Sequence, residues 1–364
     1  MNWTPDTVRR LVLDMLAGLL GLPPGGITAG ADLYRDMGVD SITRLELAAR
    51  LNEFFGLFNS AANHYLLADT LLDNWVQKII HARQESDEFI TFRTSGTGGS
   101  SRAVRHRLTD LLAEARFWSD YLPQPNQVVS LVGGQHIYGF MFTVLLPHVW
   151  ARPVLPFAQS GTTALVAGVL VVGTPFMWEY LLRSVGAGQL RQCSGVTSTA
   201  PMAPDLAQQL IGAGVELTEV YGSSETAGIA YRHHPDQPFT LLPYHTLLPD
   251  SDPMVIRRTD TNECYTLPDR VDQPAPRQLR VLGRRDEAVA IAGVNVYPDH
   301  IRQVVLACPL VADCDIHAKG DGGTVQLYGA VRLRHNSAAN QEACRQWLHD
   351  HLTAPEIPRH LYLY

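Results

Sequence analysis

Residues 38–47, GVDSITRLEL, set an Asp-Ser pair directly before an amphipathic run. The spacing predicts a helix from Ser41 to about Phe55, with Ile42, Leu45, Leu47 and Leu51 contributing to a buried stripe. Arg44, Glu46 and Arg50 suit its wet face. Upstream, residues 4–20 place Pro5 in a first helical turn and repeat apolar side chains at helical spacing. A Pro-Gly-rich loop and ADLYRDMGVDS follow, and TLLDNWVQKII reads as a closing helix. A unit this small needs most of its apolar faces for one core. Asp40 or Ser41 would serve as a helix cap, but capping does not account for the surrounding pattern.

That pattern, over residues 1–80, resembles an acyl or peptidyl carrier protein, an all-α four-helix bundle. By this resemblance Ser41 receives 4′-phosphopantetheine from a separate phosphopantetheinyl transferase. A helix start suits such a group, because backbone donors and the dipole favour phosphate there. Ser41 would anchor a mobile thiol arm and perform no catalysis itself. The plain alternative is a helical accessory domain.

The chain has 364 residues, enough for two or three domain cores, and a net charge of −7. No basic patch points to nucleic acid. Cys193, Cys264, Cys308, Cys314 and Cys344 form neither a tight zinc-ligand motif nor a disulfide framework. Buried free thiols are expected, although Cys308 and Cys314 could meet in space. The first residues lack a signal-peptide pattern, and TTALVAGVLVVGTPF is short and Gly-rich for a membrane span. A cytoplasmic protein without a membrane partner is the expectation.

HARQESDE is polar and reads as a linker over 81–89, and FITFRT after it reads as a strand. TSGTGGSSR then turns sharply, and LTDLLAEARFWSDYL has helical periodicity. Gly96, Gly98 and Gly99 would let backbone donors approach a phosphate closely. Thr94, Ser95, Thr97, Ser100 and Ser101 add hydroxyls, and Arg102 adds charge. The closing Gly-Lys-Ser/Thr of kinase and GTPase phosphate loops is absent. VVSLVGGQHIYGFMF reads as a strand entering a Gly-rich turn, with His136 and Tyr138 near it. RQCSGVTSTAPMAPDLAQQLIGAG gives another strand, small-residue turn and helix. VELTEVYGSSETAGIA gathers Tyr221, Ser223, Ser224, Glu225 and Thr226 after a strand. YTLPDRV and LGRRDEAVAIAGVNVYPDHI bring Asp269, Arg284 and a Gly-rich junction.

This ordered set, over about residues 90–310, resembles an adenylate-forming enzyme, especially of the phenylacetate-CoA ligase branch. The resemblance implies an α/β adenylate-forming domain over 90–285 and a small mobile α+β C-terminal domain over 286–364. Thr94, Ser95, Gly96, Thr97, Gly98, Gly99 and Arg102 would hold phosphates, and Tyr221 would contact adenine. Ser224 and Glu225 would meet AMP phosphate and Mg2+. Asp269 would accept from the ribose hydroxyls, Arg284 would lie near ribose and phosphate, and Asp286 would mark the hinge. His136 would line the carboxylate pocket and, with Glu225, serve catalysis.

The family reaction joins a carboxylate to the α-phosphate of ATP, releases pyrophosphate, and passes the acyl group to a thiol. Mg2+ and fixed donors ease the approach of like charges. The expected function is activation of a small or aromatic carboxylic acid and loading onto the Ser41 arm, with downstream biosynthetic enzymes docking on the carrier. Antibiotic biosynthesis or other secondary metabolism is the expected setting. The alternatives are free CoA as acceptor, or a degenerate module that binds or presents a tethered intermediate. The chain departs from the family in its short segments and in lacking a late catalytic lysine. Its lysines are Lys78, on the carrier helix, and Lys319, in the turn-like AKGDGG.

Overall fold

The computed structural model describes residues 1–27, 30, 32–59, 66–94, 102–248, 253–285, 288–321 and 324–364. The N-terminal segment forms helices Pro5–Leu19, Ser41–Phe55 and Leu72–Glu85. The described residues thus hold three long helices rather than four, joined by short turns at Leu57–Asn59 and Leu66–Ala68. The third helix runs through most of the expected linker to Glu85, and a strand starts at Phe89. Thr4 caps the first helix by accepting from Thr7 N at 3.3 Å. Asp40 caps the second by accepting from Thr43 N at 2.7 Å, so the Ser41 hydroxyl is not needed for capping. Gly56 ends that helix at φ 66°, a left-handed conformation that costs glycine little.

The expected buried stripe on the second helix is only half correct. Leu47 and Leu51 are buried, whereas Ile42 is 76% and Leu45 57% exposed. The inner face continues instead through Phe54 and Phe55. Their rings form an edge-to-face cluster with Trp3, Phe92 and Phe140, at centroid distances between 4.9 and 6.3 Å. Phe92 and Phe140 lie beyond the N-terminal segment. The three helices therefore share one apolar core with the residues after them.

Buried polar contacts fasten the same seam. Residues Ile137–Phe140, Met141–Leu145 and Leu146–Trp150 run on as helix, with a wide π turn in the middle. Pro147 has no N–H to give the Thr143 carbonyl one turn back. Arg10 from the first helix donates to that carbonyl, and to Thr143 Oγ1 at 3.3 Å. Asp14, one turn further along, accepts from Gly134 N at 3.1 Å. Arg83 is buried and donates to the carbonyls of Phe55 and Phe89 while pairing with Asp87.

A nine-stranded mixed sheet forms the centre of the described chain. Its parallel part runs, in spatial order, Val154–Pro156, Val128–Ser130, Leu170–Gly173, Ser194–Thr197 and Glu216–Ser223. Val128–Ser130, Leu170–Gly173 and Ser194–Thr197 are buried along nearly their whole length, as a sheet covered on both faces requires. Ala227–Arg232, Phe239–Leu241, Gln278–Arg284 and Asp269–Asp272 extend it antiparallel. Strand order reverses at Val128–Ser130, whose neighbours come later in the chain on both sides. Such a reversal opens a crevice at the carboxyl ends of the strands.

The remaining residues build a smaller α+β unit with its own core. Val311–Asp321 and Thr324–Leu333 pair antiparallel, His360–Leu363 adds in parallel, and helices Pro298–Ala307 and Ala338–His351 accompany them. Lys319 is an exposed strand residue opposite Gln326, not a turn residue. The five cysteines are free thiols, and Cys264 alone is exposed. Among the described residues no helix is long and apolar enough to cross a membrane.

Candidate functional site

The loops leaving the parallel strands converge on the crevice. Leu131–His136 follows the strand at which the order reverses, Thr174 follows Leu170–Gly173, and Ser198–Ala200 follow Ser194–Thr197. Tyr138, on the helix Ile137–Phe140, ties the ends of two of these strands together. Its hydroxyl lies 3.0 Å from the Gly173 carbonyl and 2.8 Å from that of Val196. Thr199 holds φ 78°, a rare and strained conformation for a β-branched residue. It sits in the small-residue turn that the resemblance places beside nucleotide and acyl group.

Tyr221, Asp269 and Arg284 come together from three strands. Tyr221 donates from its hydroxyl to Asp269 Oδ2 at 2.7 Å, and Arg284 Nε lies 3.8 Å from Asp269 Oδ1. Burial raises the Tyr221 pKa, and the Asp269 charge raises it further, so the phenol stays protonated. Asp269 is 7% exposed and keeps acceptor capacity on a carboxylate already oriented by a phenol.

Ser224 and Glu225 occupy the turn between Glu216–Ser223 and Ala227–Arg232. Ser223 Oγ accepts from Glu225 N at 3.2 Å, and Thr226 Oγ1 accepts from Ser223 N at 3.1 Å. These bonds shape the turn and leave the Glu225 carboxylate exposed.

The segment expected to hold phosphates differs from the strand–loop–helix order read from sequence. Phe89–Thr94 pairs antiparallel with a second strand, Arg102–Arg107, so Thr94 and Arg102 face each other across the ends of a hairpin. Ser95, Gly96, Thr97, Gly98 and Gly99 lie outside the described residues, as does Asp286. His106 on the second strand donates from Nε2 to the Ser224 carbonyl at 2.7 Å. Burial lowers the His106 pKa, against the opposing pull of that carbonyl. One hairpin thus carries the loop's two ends and grips the turn that holds Glu225.

His136 stands at the start of Ile137–Phe140 and is exposed. Dense surrounding protein lowers its pKa, with the Arg50 charge contributing in the same direction.

The smaller unit reaches the crevice through the hairpin Val289–Ile291/Val294–Val296. A Cβ on Gly293 would lie 3.0 Å from Thr199 Oγ1 and 3.2 Å from Thr174 Cγ2. Gly293 also holds φ 84°, so this close approach requires glycine. A groove of about 640 Å³ opens beside the hairpin, lined by Phe176, Ile291, Ala292, Leu352 and Pro358 among others.

Two supports escaped the sequence reading altogether. Glu114 is buried under the Glu225 turn and accepts from Gly228 N at 3.1 Å and from Trp118 Nε1 at 3.2 Å. Burial pushes its carboxyl up to about 7. Glu219 accepts from Met202 N at 3.1 Å and pairs with Arg232 at 2.7 Å, bracing the small-residue turn from below.

The donor set fits magnesium held chiefly by substrate phosphates. Among the described residues no three carboxylate, histidine or cysteine side chains cluster as a metal cage. Mg2+ bound through one carboxylate plus nucleotide oxygens and water needs no such cage, and exposed Glu225 meets that requirement.

A 4-coumarate–CoA ligase of Rhodobacter capsulatus is 32% identical to this chain, over 97% of it and 95% of the relative. The chain belongs to the 4-coumarate–CoA ligase family. A second member, from Halorhodospira halophila, is 30% identical over 98% of this chain and 95% of its own length. Both alignments run through nearly the whole chain, so the N-terminal segment is part of the shared architecture. Within that segment residues 10–60 match the family model described as a phosphopantetheine attachment site. The fold is that of the AMP-forming acyl-CoA synthetases. A malonyl-CoA ligase in ternary product complex with methylmalonyl-CoA and AMP superposes with a TM-score of 0.62. That match covers 75% of this chain and 70% of the ligase, at 16% identity. The relationship is to acid–CoA ligases broadly and is not specific to the phenylacetate branch.

Proposed function

We propose that this family member activates an aromatic carboxylic acid with ATP and loads it onto the pantetheine thiol carried by Ser41. The observation that carries the adenylation half is the Tyr221–Asp269–Arg284 group, set on the same sheet as the His106-held turn of Ser224 and Glu225. The aromatic preference is drawn from the 4-coumarate–CoA ligase relatives. In the first step a carboxylate oxygen bonds to the α-phosphorus, the bond to the bridging oxygen breaks, and pyrophosphate leaves. In the second a thiol sulfur attacks the acyl carbon, its proton departs, and AMP leaves.

Within that scheme Tyr221 and Asp269 position the nucleoside, and Arg284 offsets negative charge beside it. Magnesium, when bound, neutralises phosphate charge, with Glu225 as its protein ligand. The groove beside Ala292 offers the thiol a route towards the acyl carbon. Ser41 is exposed at a helix start, and Ile42 and Leu45 give the transferase an apolar face beside it. Downstream enzymes would use the same face.

Two other readings have specific support. Whole-chain similarity to CoA ligases favours free CoA as the acceptor. A binding module without catalysis is favoured by the lysines: Lys78 lies 4.0 Å from Asp69, and Lys319 sits on the smaller unit's sheet. Intact-mass analysis after pantetheinylation, with ATP, Mg2+ and 4-coumarate, separates the three. Self-loading predicts the acyl mass on the wild type and none on Ser41→Ala. Thioester formed only on added CoA would exclude self-loading, and no thioester on either would favour the binding module.

A further inference from the structure

We propose that Glu114 and His245 are positioning residues: gripping Gly228 from both sides, they fix the β-bulge that aims the Glu225 turn at magnesium-bound ATP. This rests on reading that turn as the nucleotide-phosphate side of an acid-activating site. The strands flanking the turn do not pair evenly. Their register steps from Tyr221–Ala230 to Gly222–Gly228, a bulge directly beside the turn. Ala227 holds φ 56°, a conformation that costs a residue with a Cβ. A bulge re-aims the side chains next to it, and a strained one persists only where its surroundings hold it. Here side chains meet both polar backbone groups of Gly228. Gly228 N donates to Glu114 Oε1 at 3.1 Å and to Oε2 at 3.3 Å. His245 Nε2 donates to the Gly228 carbonyl at 3.0 Å. A Cβ on Gly228 would stand 2.4 Å from Glu114 Oε1, so the carboxyl fits against glycine alone. Glu114 and His245 are each 1% exposed and come from outside the turn's own strands, on Leu108–Tyr121 and His245–Leu248.

The two grips differ in charge. Burial drives the His245 pKa down to about 4, so the ring is neutral at physiological pH, with its one N–H committed to Gly228. Glu114 takes a third donor, Trp118 Nε1, at 3.2 Å. Burial nevertheless holds its carboxyl up at about 7, against the pull of these donors and of the Arg258 charge. Arg258 is 6% exposed, lies 4.8 Å from the centre of the Tyr244 ring and pairs with Asp260 at 2.8 Å. Asp110 stands one turn back on the helix of Glu114, and His106 holds the far side of the turn. Protonation converts one Glu114 oxygen from acceptor to donor, and a donor cannot face the Gly228 N–H. The grip is therefore complete above about 7 and weakened below it.

The probe is magnesium–ATP, titrated by calorimetry into the full chain, with adenosine as the control. The wild-type Kd for magnesium–ATP should rise about 3- to 10-fold from about pH 8 to about pH 6. Glu114→Gln keeps the shape without the titrating proton, so its Kd should sit near the wild type's acid-side value at both ends of that range. His245→Phe leaves the Gly228 carbonyl without its donor and should raise the Kd about 5- to 30-fold. His245→Gln should recover part of that loss. Adenosine has no phosphate to reach the Glu225 turn and should bind all four proteins alike. Should Glu114→Gln not fold, magnesium–ATP binding to the wild type at about pH 7 should release protons, read as heats that differ between buffers of different ionisation enthalpy. A wild-type Kd flat with pH, a Glu114→Gln Kd that keeps the wild-type profile, equal losses for adenosine and magnesium–ATP, or no proton release would each overturn the assignment. Any of these alongside acid-dependent pyrophosphate exchange would leave the ligase reading intact. The expected profile without such exchange would support the assignment and remove the ligase reading.

Discussion

Phe54→Ala is expected to destabilise the chain by about 3–5 kcal/mol and to lower acid activation with it. Phe54 is 4% exposed and touches Phe55 within its own helix, Phe92 on the strand Phe89–Thr94, and Phe140 one turn from His136. Truncating it removes three edge-to-face contacts and leaves a cavity that rigid neighbours fill only in part. Because that cavity joins the N-terminal helices to the sheet, urea unfolding should show a lower midpoint for one transition spanning both. The control is Leu45→Ala on the exposed face of the same helix, expected to stay within about 0.5 kcal/mol of wild type. Two separate transitions, with only the minor one moved by Phe54→Ala, would show instead that the carrier-like segment is an appended unit.

Asp269→Asn is expected to lower kcat/KM for ATP about 10- to 100-fold, the size of losing a charge-assisted hydrogen bond. Asn keeps the shape and accepts from Tyr221 with one oxygen, but it has no charge to set against Arg284 and carries an amide where the second acceptor stood. The loss should fall on ATP, with the acid KM and the unfolding midpoint close to wild type. Pyrophosphate exchange measured against ATP at saturating acid reads it directly. An unchanged ATP dependence would mean that this group holds no nucleoside.

Much of this arrangement was legible in the chain, and the exceptions have definite causes. The helix after Ser41 ends where its periodicity ends, at Phe55 before Gly56. Periodicity reports which face is apolar, however, and not what covers it. Ile42 and Leu45 lie at the exposed start of the stripe, while Phe54 and Phe55 at its end meet a second segment of chain. The strand Arg102–Arg107 was hidden because RAVRHR carries arginine at half its positions and lies on an exposed hairpin, where no apolar alternation is required. Tyr221, Asp269 and Arg284 were named from the family resemblance, and the sheet brings them together because Asp269 opens one strand, Arg284 closes another and Tyr221 lies near the end of a third. His106 and Glu114 belong to no motif. Glu114 did carry a signal, since it shares helical spacing with buried Leu111, Ala115 and Trp118. A carboxyl on that stripe must be buried and bonded, which is how it meets Gly228 N. The seam between the first helices and the sheet depends on long-range contacts through Arg10, Asp14 and Arg83. No local pattern reports those.

The central claim, that this crevice joins a carboxylate to AMP, is tested most directly by ATP–pyrophosphate exchange on the purified chain across a panel of aromatic and aliphatic acids. The account predicts exchange that depends on an aromatic acid and is lost in Glu225→Ala, with folding preserved. Nucleotide binding with no acid-dependent exchange anywhere in the panel, or exchange indifferent to Glu225, would contradict it.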